Sequence, residues 1–264
     1  MDVSHLFIWE SRVLFLAKGL RAEAHAHYNA SLIISADTPF EIRTPQRGYG
    51  GLECVLISPN VYHELRAEKS SMIVLQIDPL GAEYRALANA LGAEGVIRAG
   101  RPDGIQKELS ILLDPGISSR CEAAAAFVRM VLMRTIHYEE MPHTVDPRVA
   151  RLIALLKEHI SEDMPETVSV QEAAAHVGLS ADRLMHLFKE EMGLPIRRYV
   201  LWLKLRRAVM LMRTEGIRMT EASHAAGFAD SAHLSRTFKD MFGIPPSFFF
   251  ANDRFVQVNQ CEVW

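Results

Sequence analysis

The sequence predicts an α+β protein with two domains: a small N-terminal β-barrel followed by helices, and a C-terminal all-α domain. Three observations support this fold class. Short apolar runs separated by turn signals fill residues 6–77, which is typical of a barrel or sandwich. A break containing Pro142 and Pro147 follows the first predicted helices. Beyond this break, a helix, a glycine turn and a second helix occur twice, which predicts two helix-turn-helix units joined by a long helix.

Length and composition suit two ordinary globular domains. The 264 residues are 49% hydrophobic and 23% charged, which is too apolar for a disordered chain. No apolar run reaches the roughly 20 residues that a membrane span needs, and the N-terminus lacks the pattern of a secretory signal. The three cysteines are widely separated, which is typical of a reducing compartment rather than a disulfide framework. We therefore expect a cytoplasmic protein that does not act at a membrane.

Residues 1–140 are predicted to form the first domain. The predicted strands are short apolar runs with turn signals between them, at 13–16, 31–34, 54–57 and 72–77. Helices are predicted at 103–113 and 118–140. The second helix carries an apolar stripe at helical spacing, formed by Ala124, Phe127, Val128, Val131, Leu132 and Ile136. This stripe needs a partner, which is either the barrel or a second subunit.

Residues 141–146 are predicted to be a linker, residues 147–250 the second domain, and residues 251–264 a C-terminal tail without a clear assignment. Pro147 fits the first position of a helix that Asp146 caps. The two units and their connection are predicted as helices at 168–177, 181–192, 196–212, 220–226 and 231–242, with turns at Gly178 and Gly227.

In the second helix of each unit, the apolar residues turn inward and the polar residues turn outward. Outward polar side chains on such a helix can reach base edges and phosphates in the DNA major groove. The helix over 196–212 spans about 25 Å at ~1.5 Å per residue. One DNA turn is about 34 Å, so we expect two reading helices in successive segments of the major groove.

The formal net charge of −3 is unusual for a DNA-binding chain, but local charge decides phosphate attraction. Within residues 197–218, Glu215 is the one acid. The basic residues of this segment are Arg197, Arg198, Lys204, Arg206, Arg207, Arg213 and Arg218. We expect this stripe to favour DNA despite the overall charge.

Residues 147–250 resemble the DNA-binding domain of AraC/XylS-type transcriptional regulators. The resemblance is strongest over residues 218–246, in Gly227-Phe228-Ala229-Asp230-Ser231, His233-Leu234-Ser235-Arg236, Phe238-Lys239 and Gly243-Ile244-Pro245-Pro246. It implies base-facing roles for Asp182, Arg183, Met185, His186, Ser231, Ala232, Ser235 and Arg236. It implies positions near the DNA backbone for Ser180, Lys189, Arg197, His233 and Lys239. The resemblance further implies promoter DNA and RNA polymerase as partners, and activation more often than repression.

The N-terminal domain resembles a cupin in two short motifs. Gly19, His25 and His27 resemble the opening of the first cupin motif, and residues 59–63, ending in His63, loosely resemble the second. Regulators of the AraC/XylS family usually join such an effector domain to the paired units and often dimerise through helices after the barrel. The resemblance therefore implies a homodimer that responds to a small effector, with residues 118–140 as the dimerisation helix.

Three interpretations of His25, His27 and His63 stay open. Neutral imidazoles that meet inside a barrel can bind a divalent transition metal. They can instead line the pocket of an organic effector, or be satisfied by backbone groups. The acidic ligand of a cupin is absent after His27, where Ser31 and Leu32 stand. We therefore expect a ligand-responsive regulator and not an enzyme; a metal-sensing regulator and a cupin metalloenzyme are the alternatives.

Overall fold

The computed structural model separates into two compact units. It describes residues 4–81, 83–91, 95–138, 145–161, 168–214, 216–250 and 256–261. The first unit comprises Met1–His143 and Lys239–Trp264, and the second comprises Thr144–Phe238. Most of the predicted linker, residues 141–144, lies outside the described residues. The domain boundaries predicted at 140, 146 and 250 stay predictions.

The first unit is built on a sheet in which nine strands are described. They are β1 (Ser4–Ile8), β2 (Arg12–His25), β3 (Ala30–Ser35), β4 (Phe40–Arg43), β5 (Gly48–Leu52), β6 (Cys54–Ile57), β7 (His63–Ile77), β8 (Val96–Ala99) and β9 (Val256–Gln260). The order is β8-β6-β3-β7-β2-β1-β9, and β4 pairs with both β7 and β5. Only the pairing of β9 with β1 is parallel among these described strands.

The long strand β7 organises this sheet. It pairs along its length with β2, while its other edge is shared between β3 and β4. The four predicted strands lie inside β2, β3, β6 and β7, because only the most apolar part of each long strand gives a clear sequence signal. In β3 every residue is buried, as expected for a strand covered on both faces.

The N-terminal part of the first unit also contains three described helices: α1 (Tyr84–Leu91), α2 (Ile105–Leu112) and α3 (Arg120–Ile136). The side chain of Ser119 caps α3 by accepting from the backbone N–H of Glu122. The apolar stripe of α3 belongs to the same buried core as Leu16 and Leu75 of the sheet. The sheet is therefore the partner that this stripe needs.

The end of the chain returns to the sheet. Strand β9 pairs with β1 from Ser4 opposite Val256 to Ile8 opposite Gln260. This pairing places Cys261 beside the first turn of α3, where it forms a disulfide with Cys121 at a Cα–Cα distance of 5.2 Å. The expectation of reduced cysteines was wrong for this pair, because only the tertiary pairing of β9 brings the two residues together. Among the described residues, Cys54 is the free cysteine and is buried.

All the described secondary-structure elements of the second unit are helices. Its helices are α4 (Pro147–Ser161), α5 (Val170–Val177), α6 (Ala181–Met192), α7 (Ile196–Thr214), α8 (Met219–Ala225) and the start of α9 (Ser231–Phe242). The last turn of α9 and the short α10 (Ser247–Phe250) belong to the first unit. These bounds agree with the predicted helices to within about two residues at each end. No described helix is long and apolar enough to cross a membrane.

The turn between α5 and α6 follows from local residues. Ser169 and Glu172 form a capping box at the start of α5, and the buried Ala173 and Ala174 keep its inner face small. Gly178 ends α5 with φ of 70°, a left-handed conformation that favours glycine. Ser180 then caps α6 by accepting from the N–H of Arg183.

The basic stripe on α7 is less exposed than the sequence predicts. Arg206 is only 8% exposed, and Nζ of Lys204 donates a hydrogen bond to the carbonyl of Gly227 at 2.9 Å. Helix α7 contacts α4, α6 and α8, so little of its surface is free to carry outward cations. Arg197, Arg198 and Arg218 are exposed.

Candidate functional site

Helix α6 presents a polar face to solvent. Its buried residues are Leu184, Leu187, Phe188 and Met192. The predicted base-facing residues Asp182, Arg183, Met185 and His186 are all exposed, as are Lys189 and Arg197. Ser180 uses its hydroxyl to cap the helix at the N–H of Arg183, so its side chain already has a structural role. The face is therefore accessible in the way the prediction requires, and its contacts with DNA stay a prediction.

Helix α9 has the same design with fewer exposed side chains. Ala232 and Arg236 are exposed, whereas Ser231, His233 and Ser235 are half-buried. Asp230 caps the helix, since its Oδ1 accepts from the N–H of His233 at 2.6 Å. The sequence motif contained this cap, but its role becomes visible only in the helix geometry.

Two predicted DNA-contacting residues of α9 have protein partners. The ring of His233 packs edge-on against Phe228, with a centroid separation of 5.2 Å. Nζ of Lys239 lies 2.8 Å from Oε2 of Glu23, and both side chains are partly exposed. The ion pair between Lys239 and Glu23 was not expected from the sequence, because these residues are far apart in the chain.

The structure brings His25, His27 and His63 together at one end of β2 and β7. His25 lies directly opposite His63 in the sheet register. His27 follows the end of β2, and its carbonyl accepts from the N–H of Asn60 at 2.7 Å, which ties the loop before β7 to it. The three ring centroids are 4.5 to 5.5 Å apart. One ring nitrogen from each histidine lies within 4.8 Å of the others, and all three residues are buried.

The hydrogen bonds of the three rings fix their tautomers. Nδ1 of each ring bonds to a carbonyl two residues away: those of Glu23, Asn29 and Val61, at 2.8, 3.0 and 2.9 Å. A carbonyl only accepts, so each Nδ1 carries the proton. In the neutral ring, Nε2 is then the basic nitrogen. Nε2 of His27 lies 3.2 Å from the Ser31 hydroxyl.

Burial keeps these rings neutral near pH 7. It lowers the pKa of His63 to about 4. Burial, together with the positive charge that His63 and His25 would carry, lowers the pKa of His27 well below its usual value. Burial also lowers the pKa of His25, although the carbonyl of Glu23 partly offsets this effect. Three neutral imidazoles are the protonation state that a metal ion requires.

Gly243, the residue after α9, packs directly against the histidine cluster. Its carbonyl accepts from the N–H of Glu23 at 2.8 Å. A methyl group added at Gly243 would lie 2.5 Å from the carbonyl oxygen of Glu23 and 2.6 Å from Nδ1 of His25. Glycine also suits the backbone here, since φ is +67°. In the sequence, this glycine stands out only as part of the family motif.

An open cleft of about 820 Å³ lies next to the cluster in the first unit. Its lining includes Arg47, Tyr49, Asn60, Val61, Tyr62 and Val96. The Arg47 guanidinium stacks on the Tyr49 ring at 4.3 Å from its centroid. Val61 links the cleft to the cluster. It lines the cleft, and its carbonyl accepts a hydrogen bond from Nδ1 of His63.

Comparison with known proteins shows that parts of this chain are similar to transcriptional regulators. Residues 173–252 match the model of a helix-turn-helix domain. The chain is similar to the transcriptional regulator GbdR of Pseudomonas aeruginosa (strain PAO1), with 28% identity over 47% of this chain and 35% of GbdR. It is 28% identical to the arabinose operon regulatory protein of Escherichia coli (strain K12) over 59% of this chain and 49% of that protein. It is 33% identical to the transcriptional activator RhaS of Escherichia fergusonii over 44% of this chain and 41% of RhaS.

These matches span about half or less of the length of each relative. The fold is similar over nearly the whole chain to ToxT from Vibrio cholerae, with a TM-score of 0.59 and 12% identity, covering 92% of this chain and 98% of ToxT. The likeness confirms the prediction of a two-domain α+β protein with an N-terminal sheet and a C-terminal helical domain. Closure of the sheet into a cupin-like barrel and the details of the two helix-turn-helix units stay predictions.

Proposed function

Since the helix-turn-helix region of this chain belongs to the AraC family of transcription regulators, we propose that the protein binds promoter DNA and regulates transcription. The observation that carries this proposal is the duplicated pair, in which α6 and α9 each follow a short helix and a glycine turn. Each second helix buries its apolar face and leaves polar residues outside, which is the arrangement needed to read base edges.

The proposed contacts divide into two groups. Asp182, Arg183, Met185 and His186 of α6, with Ser231, Ala232, Ser235 and Arg236 of α9, face the bases. Ser180, Lys189, Arg197, His233 and Lys239 approach the phosphates. Arg236 is the strongest of these assignments, because it is exposed and lies in the segment of closest family resemblance.

Binding selection followed by titration tests this proposal. Duplexes are first selected from a randomised library by the purified full chain, and affinities are then measured by gel shift. Arg236→Ala and His186→Ala should each weaken binding to the selected duplex by about 5- to 150-fold, corresponding to ~1–3 kcal/mol. Lys107→Ala removes an equivalent charge from the exposed face of α2 and should have no effect. Equal affinity for selected and scrambled duplexes would overturn the proposal.

Phosphate contacts have a separate signature. Lys189→Ala should weaken binding to selected and scrambled duplexes alike and reduce the slope of log affinity against log salt by about one. Arg236→Ala should lower the ratio of the affinities for selected and scrambled duplexes and should leave this slope nearly unchanged. An unchanged slope in Lys189→Ala would remove this residue from the proposed interface.

We further propose that a small effector bound in the first unit controls DNA binding, and that the protein acts in the cytoplasm as a homodimer that recruits RNA polymerase. The open cleft with its stacked Arg47 and Tyr49 offers a site for an organic effector. ToxT, which has a similar fold, has been solved with a bound unsaturated fatty acid. Activation is the proposed direction. Transcription with purified RNA polymerase from a template carrying the selected duplex should rise when the protein is added, and a fall would indicate repression.

A metal ion is the second candidate effector. The specific observation in its favour is the buried cluster of three histidines whose ring nitrogens lie within 4.8 Å of one another. The relatives named above are regulators, and we propose no catalytic step at this cluster.

A further inference from the structure

We propose that His25, His27 and His63 bind one divalent transition-metal ion through Nε2, and that its binding is transmitted to the end of α9 through Glu23 and Gly243. The proposal deepens the proposed function. Only the part of its test that uses DNA rests on that function. It has two parts: a binding site and a mechanical connection.

The spacing of the rings fits a single ion. A metal at 2.0–2.1 Å from Nε2 lies roughly 3 Å from the ring centroid, so tetrahedral ligands have centroids about 5 Å apart. The observed separations are 5.5, 4.5 and 5.2 Å. The site therefore needs only small movements of the rings to close on an ion.

The surrounding hydrogen bonds pre-organise the ligands. Each Nδ1 donates to a backbone carbonyl, which is the arrangement that orients histidine ligands in metalloproteins and leaves Nε2 for the metal. The three carbonyls belong to backbone next to the ligands, so the rings are held before any ion arrives. Among the described residues, the Ser31 hydroxyl competes with a metal for Nε2 of His27, and this hydrogen bond is long at 3.2 Å.

The ligand set favours one class of metal. Three neutral imidazoles suit Zn²⁺ and its neighbours in the first transition series, whereas Ca²⁺ and Mg²⁺ prefer oxygen ligands. Among the described residues, the cluster contains no carboxylate or thiolate. Three protein ligands leave a coordination position for water or a small molecule.

The connection to α9 runs from His25 through Glu23 to Lys239 and Gly243, which all belong to the first unit. The carbonyl of Glu23 holds the His25 ring, while its N–H is bonded to the carbonyl of Gly243. The Glu23 carboxylate is paired with Lys239 in the last turn of α9. Gly243 has no room for even a methyl group against Glu23 and His25. A movement of His25 towards a metal therefore acts directly on the residue that ends a proposed reading helix.

Co²⁺, which reports its coordination by visible absorption, is the probe for the binding site. Metal-free full-length protein should bind one equivalent, with the absorption of a site containing nitrogen ligands. His63→Ala and the more conservative His63→Gln should each weaken binding by at least about 100-fold, while His224→Ala, which removes an exposed histidine of α8, should bind normally. Thermal unfolding checks that each variant is folded. Absence of stoichiometric binding, or equal binding by folded His63→Gln, would overturn the site.

The connection is tested by reciprocity. If metal binding acts on the end of α9, a change at the end of α9 must alter the affinity for the metal. Gly243→Ala should weaken Co²⁺ binding by at least about fivefold. Gly216→Ala is the matched control, since Gly216 has a similar φ of +65° but nothing within 4 Å of an added methyl group. If the two variants bind Co²⁺ equally, the connection is wrong even though the site stands.

Hydrogen exchange on the full chain gives a readout that needs no DNA. One equivalent of Zn²⁺ should slow exchange in residues 20–27, 58–65 and 239–247, but not in α6. Zn²⁺ should also change the affinity for the selected duplex by at least about fivefold. Normal metal binding with unaltered exchange in residues 239–247 would overturn the connection. Failure to bind any duplex selectively would overturn the proposed function instead, and would leave the metal results intact.

Discussion

Cys54 and the three histidines show how burial sets reactivity at the scale of single residues. Cys54 lies in β6 with no exposed surface, and burial raises the pKa of its thiol to about 12. The same effect lowers the pKa values of the histidines and keeps them neutral. Burial therefore makes the thiol inert and the imidazoles available as ligands.

Cys54 is expected to resist alkylation in the native protein. Iodoacetamide reacts with the thiolate, which is scarce at pH 8 when the thiol pKa is about 12. Mass spectrometry should find Cys54 unmodified after native treatment and modified after unfolding in guanidinium. Rapid modification in the native state would show that β6 opens readily.

The sequence singles out all three histidines but does not show that they meet. His25 and His27 are close in the chain, so their proximity was expected. His63 joins them because the β2–β7 register pairs it with His25, and two irregularities in this pairing precede that position. A register with such irregularities cannot be read from local alternation alone.

At the scale of elements, the helices of the second unit were predicted to within about two residues because the signals of helices are local. Helix α1 was not predicted, and α3 ends at Ile136 rather than at residue 140. Apolar spacing, capping residues and glycine turns all lie within a few positions of one another. The strands were predicted only in part. The first half of β7 alternates buried Leu65 and Ala67 with the more exposed Glu64, Arg66 and Glu68. This alternation is itself a strand signal, whereas the predicted strand covered only the continuous apolar run at 72–77.

The apolar stripe of α3 is expected to stabilise the first unit. Leu132 is completely buried in the core that α3 shares with the sheet, whereas the next residue, Met133, is 58% exposed. Leu132→Ala should lower the free energy of unfolding by about 2–5 kcal/mol. Met133→Ala should change it by less than about 0.5 kcal/mol. Urea unfolding of both variants makes the comparison, and equal effects would mean that the stripe does not pack on the sheet.

At the scale of the whole molecule, the return of the chain end to the first unit was not expected. Strand β9 pairs with β1, and the Cys121–Cys261 disulfide closes a loop of sequence separation 140. All the described residues of the second unit lie within this loop. The cross-link therefore constrains the unfolded chain strongly in the chain-entropy description.

Loss of this disulfide is expected to lower stability. Cys261→Ser should reduce the free energy of unfolding by about 2–4 kcal/mol. Dithiothreitol should lower the melting temperature of the wild-type protein to that of Cys261→Ser. It should leave the melting temperature of Cys261→Ser unchanged. A wild-type melting temperature that does not respond to reductant would show that the cross-link contributes nothing.

The sequence by itself determined the helical pairs, their glycine turns and the polar faces of α6 and α9, because those features depend on interactions within a few residues. It also singled out the histidines. The tertiary structure decided which distant residues meet: His63 with His25, Cys121 with Cys261, and Gly243 with Glu23. These contacts depend on strand register and on the path of the chain end, which are set by packing across the whole fold and leave no local pattern.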